Sequence, residues 1–179
     1  MVESLIALTI TTMAGAALLT ALSGAVQSST AAARTQIASG LAAQLMEEIT
    51  AVRFPDANAT PSGGSSRDSF DDLDDYHNWS AQPPRNREGL LIGREGSIFW
   101  GVHVERPSQL RPASSFMERL RREVQVEKVQ LANIGRWEVT STETGWRRVR
   151  VTVSWVSEQN VATPLAERIQ LFSRPAETP

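Results

Sequence analysis

Two stretches of the 179-residue chain carry side chains whose type and spacing could do chemistry. The first is RDSFDDLDDYHNW, where Asp68, Asp71, Asp72, Asp74 and Asp75 crowd ahead of His77. Calcium takes roughly six to eight oxygen ligands, and loop carboxylates can supply them. Asp71, Asp72, Asp74 and Asp75 are therefore the candidate metal ligands, with calcium as the candidate ion. The spacing is not that of an EF-hand, because the turn glycine and the distal glutamate are missing. Solvated loop carboxylates, with Asp68 or Ser69 capping a short helix, account for the same residues. A His/Asp pair can also act as a base or bind a metal, and His77 and His103 are the two histidines. His77 adjoins the aspartates, whereas His103 sits in a strand-like pattern and reads as a surface residue of a sheet.

The second stretch surrounds Glu3. It is followed by thirty uncharged residues, Ser4 to Ala33, before Arg34. A carboxylate at the head of such a run is costly unless it finds a partner. Elsewhere the chain lacks the usual catalytic patterns. It has no G-x-S-x-G, HExxH or P-loop spacing. The absence of cysteine excludes thiolate catalysis, disulfides and Cys-based metal sites. The sequence does not read as an enzyme. Net charge is −2, so no global field draws nucleic acid or anionic lipid. Local groups at Arg119, Arg121 and Arg122 and at Arg147, Arg148 and Arg150 do not change that balance, and no nucleic-acid partner is expected. The five tryptophans read as packing residues, with a sugar- or peptide-binding surface as the alternative.

These residues must be positioned by a few elements. Leu5–Val26 is rich in Leu and Ala and free of proline, which predicts helix. The apolar run exceeds the roughly 20 residues that cross a bilayer. Leu5, Ile6, Leu8, Ile10, Leu18 and Leu19 are its candidate core side chains. Beyond Arg34, Ile37, Leu41, Leu45, Ile49 and Val52 recur at three or four residues and form one stripe. The helix is thus expected to run to about Arg53, ahead of Pro55. Its apolar half suits lipid or a bundle, and its amphipathic half suits packing on a domain of the same chain. No basic flank precedes the apolar run, so neither a signal peptide nor the positive-inside rule is served. Residues upstream of Met1 are expected to have been removed or never included.

Residues 54–88 show no period, yet Phe70, Leu73, Tyr76 and Trp79 recur every three residues and predict a turn pinned by apolar side chains. Ser97–Glu105 reads as a strand, and Ser115–Arg122 as a short helical turn. Glu123–Leu131 reads as a strand with a bulge where Val124 and Val126 give way to Val129 and Leu131. Arg136–Thr140 reads as a short strand, Trp146–Val156 is the clearest strand, and Ala166–Phe172 is the last. The fold class is α+β, with a long N-terminal helix packed on a small antiparallel sheet. Five segments follow: 1–33 and 34–53 for the two halves of the helix, 54–95 for an Asp-rich irregular region, 96–173 for the sheet domain and 174–179 for a tail.

MVESLIALTITTMAGAALL resembles the start of mature type IV pilins and type II secretion pseudopilins. Those chains carry a glutamate after two apolar residues, then Leu and a long apolar helix, and Met1-Val2-Glu3-Ser4-Leu5-Ile6-Ala7 matches from the two apolar residues onward. Phe70–Trp79 is similar to an Asp-rich stretch of minor pilins, so the chain looks most like a minor pilin or pseudopilin of the MSHA, PilV or GspI kind. It lacks the helix proline frequent in that family, so any kink would rest on Gly15 or Gly24. The missing cysteine pair sets it apart from pilins with a C-terminal disulfide loop. The resemblance implies a leader cut by a prepilin peptidase and a methylated new N-terminus. It implies a subunit that waits in the inner membrane with its C-terminal domain in the periplasm. An inner-membrane assembly platform then lifts it into a filament of other pilin or pseudopilin subunits. Glu3 would pair with the α-amino group of a neighbouring subunit. The competing expectation is a monomeric, membrane-tethered periplasmic binding module.

Overall fold

The computed structural model describes residues 2–56, 67–93, 97–99, 102–104, 106–132 and 135–175, the two short segments at 97–99 and 102–104 by their backbone. Met1, Trp100, the His103 side chain, the Gly-Gly of the Asp-rich region and the tail beyond Pro175 lie outside it.

Helix α1 is uninterrupted from Val2 to Thr50. Its threonines do not disturb it, because each returns its hydroxyl to a carbonyl one turn back. Thr9, Thr11, Thr20 and Thr30 donate to Leu5, Ala7, Ala16 and Val26 at 2.7–2.9 Å. Such bonds leave no hydroxyl needing a partner outside the helix. At its end the ladder tightens, with the Ala51 and Val52 amides donating to the Glu48 and Ile49 carbonyls three residues back. Phe54 precedes Pro55 and is biased away from helical geometry. Arg53 already lies in an extended bridge with Asp72. The helix stops three residues short of the expected Arg53.

The chain divides into two compact units, Met1–Ile37 and Ala38–Pro179. The first is the apolar half of α1. Its Val2, Leu5, Ile6, Leu8, Ile10, Met13, Leu18, Leu19, Leu22 and Val26 are all 55–71% exposed. This helix is long and apolar enough to cross a membrane.

The second unit is α+β. Its strands are β1 (Ser80–Ala81), β2 (Ser97–Phe99), β3 (Val102–Val104), β4 (Leu120–Leu131), β5 (Trp137–Val139), β6 (Trp146–Val156) and β7 (Ala162–Ser173). A four-residue helix α2, Ser114–Met117, precedes β4. The main sheet runs β1-β4-β6-β7, and β5 pairs with β4. All the pairings are antiparallel. The expected strand at Ser97–Glu105 instead gives the separate pair β2–β3. Along β6, Val149, Val151 and Val153 point inward while Arg148, Arg150 and Thr152 are only partly covered. Alternation buries one face, as the period of two requires.

The phase change in β4 has a different cause from a bulge. β4 pairs with β6 in unbroken register from Leu120↔Trp155 to Lys128↔Arg147. It then pairs with β5 from Val129↔Val139. Val126 and Val129 are both buried because the strand takes a second partner between them. The register shift that does occur lies between β6 and β7, at Val153/Ser154.

Ala38, Leu41, Ala42, Leu45, Met46 and Ile49 of α1 join Phe70, Leu73, Tyr76, Met117, Leu120, Val124 and the β6 valines in one core. Burying a side chain such as Leu45 or Ile49 contributes about 1.5–3 kcal/mol. Gly93 has a special role at the edge of this unit. Its φ is +88°, and a Cβ there would lie 2.5 Å from the Pro112 ring, so only glycine fits.

Candidate functional site

Glu3 stands in the first turn of α1, exposed, with the apolar side chains after it exposed as well. Six of the latter were the candidate core of a bundle: Leu5, Ile6, Leu8, Ile10, Leu18 and Leu19. They form a continuous apolar surface all around a membrane-length helix, with one carboxylate at its head.

The packing stripe holds at four of its five predicted positions and fails at the first. Leu41, Leu45 and Ile49 are buried, and Val52 is partly buried against the same core. Ile37 is a correction: it is 41% exposed and is the last residue before the compact unit begins at Ala38. Ala38, Ala42 and Met46 complete the buried face. The two alanines went unread because a small side chain adds little to an apolar pattern, although it permits close approach.

The aspartate loop is built around backbone capping. Asp72 Oδ1 accepts the Asp74 and Asp75 amides at 2.9 and 3.2 Å. Asp75 Oδ2 accepts the Asp71 and Asp72 amides at 2.9 and 3.3 Å. This reciprocal pair closes the turn at Asp74–Tyr76. Phe70, Leu73 and Tyr76 go into the core, with Phe70 and Tyr76 edge to face at 4.9 Å. Trp79 packs partly buried beside them. Burial pushes the Asp72 carboxyl above its ordinary range, although the Asp75 and Asp74 amides pull the other way.

Ligand atoms of Asp71, Asp72 and Asp75 lie within 4.8 Å of one another. Asp74 departs from the expected set of four. Its carboxylate is turned to Arg147, whose Nε and Nη2 donate to it at 2.8 and 3.0 Å. Asp71 pairs with Arg53 at 2.7 Å on the surface. His77 is a positioning residue for the sheet, as its Nδ1 accepts the Val126 amide at 3.3 Å.

The polar residues that sequence reasoning missed are three buried arginines, Arg67, Arg122 and Arg147. Arg67 donates from Nη1 to both oxygens of Glu48 at 2.9 and 2.8 Å. Tyr76 donates its hydroxyl to the same carboxylate at 3.1 Å. Burial and the nearby Glu48 charge both raise the Tyr76 phenol. Arg67 and Arg122 each donate to the Arg85 carbonyl. The Arg67 guanidinium lies 4.4 Å from the Trp79 ring centre. Arg147 also donates to both oxygens of Glu143 at 3.0 Å, and Lys128 pairs with Glu143 at 2.8 Å. Strand parity carried a signal for two of them. Arg122 has the parity of Val124, and Arg147 that of Val149, so each falls on the buried face. Nothing in the spacing around Arg67 marks it.

No protein-family model matches the chain, and neither does any curated protein or any solved structure.

Proposed function

We propose that the chain is a structural subunit, a minor pilin or pseudopilin, of a type IV pilus or a type II secretion-like filament. It inserts in the inner membrane through the first half of α1, carries residues 38–175 into the periplasm, and assembles with other pilin or pseudopilin subunits through that same helix. The observation that carries this reading is the division of α1. One unbroken helix has an apolar, exposed, membrane-length half headed by Glu3, and a second half that is the buried face of an α+β unit.

The physical logic runs through Glu3. In a bundle of apolar helices a lone carboxylate costs several kcal/mol unless a cation or donor meets it. A neighbouring subunit that supplies an α-amino group at one axial register would offset that cost there and nowhere else. Glu3 therefore sets register, and the apolar side chains supply contact area. Prepilin peptidase and the membrane assembly platform are the partners such a subunit needs.

Substitution of Glu3 tests this. Glu3→Ala is expected to insert in the membrane at the normal level and to be lost from sheared filaments. Incorporation at the parental level would rule out register-setting by Glu3 and favour the monomeric tethered module.

A further inference from the structure

The 85–91 turn carries two guanidinium groups that no carboxylate neutralises among the described residues, and they flank a groove of about 420 Å³. The turn itself is rigidly made. The Asn86 amide donates to the Leu90 carbonyl at 2.8 Å, and the Leu90 amide returns a bond to Asn86 Oδ1 at 2.8 Å. Gly89 closes it with a φ of 81°. Beneath it, the Arg85 carbonyl is held by the two buried arginines, Arg67 and Arg122.

On this platform Arg85 Nη1 donates to the Gly89 carbonyl at 2.7 Å, and Arg87 Nη2 donates to the Phe70 carbonyl at 2.9 Å. Each anchor is neutral and uses one N–H of the five that a guanidinium carries. Both side chains belong to exposed residues. Arg67 forms part of the wall, but Glu48 already neutralises it. No Asp or Glu lines the groove. Two fixed, uncompensated guanidinium forks facing one cavity are the arrangement that recognises a carboxylate or another oxyanion.

The backbone beside the groove narrows the class of ligand. Ser80 and Ala81 line it and form β1, which lies at the end of the main sheet. The Trp79 carbonyl accepts the Val124 amide of β4 at 2.9 Å. Antiparallel main-chain groups alternate between the two sides of a strand, so Ser80 turns its own N–H and C=O away from β4. An extended peptide can bond to such an edge while its acidic side chain reaches the arginines.

We infer that the groove between β1 and the 85–91 turn binds an extended acidic peptide segment of a partner protein, with Arg85 and Arg87 as the carboxylate clamp. This inference does not depend on filament assembly, since every residue it uses belongs to the Ala38–Pro179 unit.

The test is fluorescence anisotropy with the full chain in a neutral maltoside detergent. The probe is a fluorescein-labelled peptide of alternating glutamate and valine. The parent is expected to bind it, and the same peptide with glutamine for glutamate is expected to bind at least about tenfold more weakly. Arg85→Gln with Arg87→Gln is expected to give a similar loss, with Arg85→Gln alone giving part of it. Arg168→Gln, an exposed arginine of β7, is expected to leave binding unchanged. Equal binding of the acidic and neutral peptides by the parent overturns the proposal without any variant having to fold. So does unchanged binding by a folded double variant. Tighter binding of a single-stranded oligonucleotide of equal charge overturns the assignment to peptides.

Discussion

Arg147 shows how much a single side chain organises. It is 1% exposed and holds Asp74 of the aspartate turn and Glu143 of the β5–β6 connection at once. Its guanidinium also lies 5.3 Å from the Phe54 ring centre, beyond the end of α1. Burial alone would lower its pKa, but hydrogen bonds and charge from Asp74 and Glu143 outweigh that and raise it, so it stays charged. Glu143 is the titrating member of the group. Burial pushes it up, and the bonds and charges of Lys128 and Arg147 pull it further down, to a net value below the ordinary 4.5. The sign follows from linkage. A carboxylate that holds its proton less tightly when folded adds stability above its unfolded pKa, and that stability is lost as pH falls through the folded value. Melting followed by circular dichroism is expected to show Glu143→Gln less stable than the parent at neutral pH. The gap is expected to close on acidification below 4.5. Parallel curves for the two proteins would contradict the role given to Glu143.

At the scale of elements, α1 and the strands divide the labour of the core. Leu45 is fully buried between them, and Leu45→Ala is expected to cost about 2–5 kcal/mol in denaturant unfolding of the 38–175 unit. Leu8→Ala, on the exposed half, is expected to leave that transition unchanged. The difference between the two halves of α1 was legible in the sequence, because charge spacing and a helical stripe are local signals. So was the pinned turn, since Phe70, Leu73 and Tyr76 repeat at turn spacing and all three are buried. What was not legible depends on partners distant in sequence. The phase change in β4 looked like a bulge, yet it arises from β5 taking over from β6. Ile37 fits the stripe by spacing, and only the extent of the compact unit leaves it exposed. Asp74 looked equivalent to its neighbours, and only Arg147, 73 residues on, distinguishes it.

At the scale of the whole molecule, the two units face different problems. In the Ala38–Pro179 unit two of the buried arginines meet carboxylates of the same unit, through Glu48–Arg67 and Asp74–Arg147–Glu143. Residues 2–37 leave a full apolar surface uncovered, with Glu3 at its head. Lipid can cover that surface, but lipid offers Glu3 no cation at a fixed height, whereas the neighbouring subunit proposed above would. Assembly through α1 is therefore the central claim, and the absence of cysteine makes it directly measurable. Leu8→Cys and Leu18→Cys, introduced singly and oxidised in sheared filaments, are expected to give covalent subunit pairs that form only when the assembly platform is present and that disappear with Glu3→Ala. Membrane-inserted protein that stays monomeric at both positions, with filaments otherwise normal, would contradict assembly through this helix.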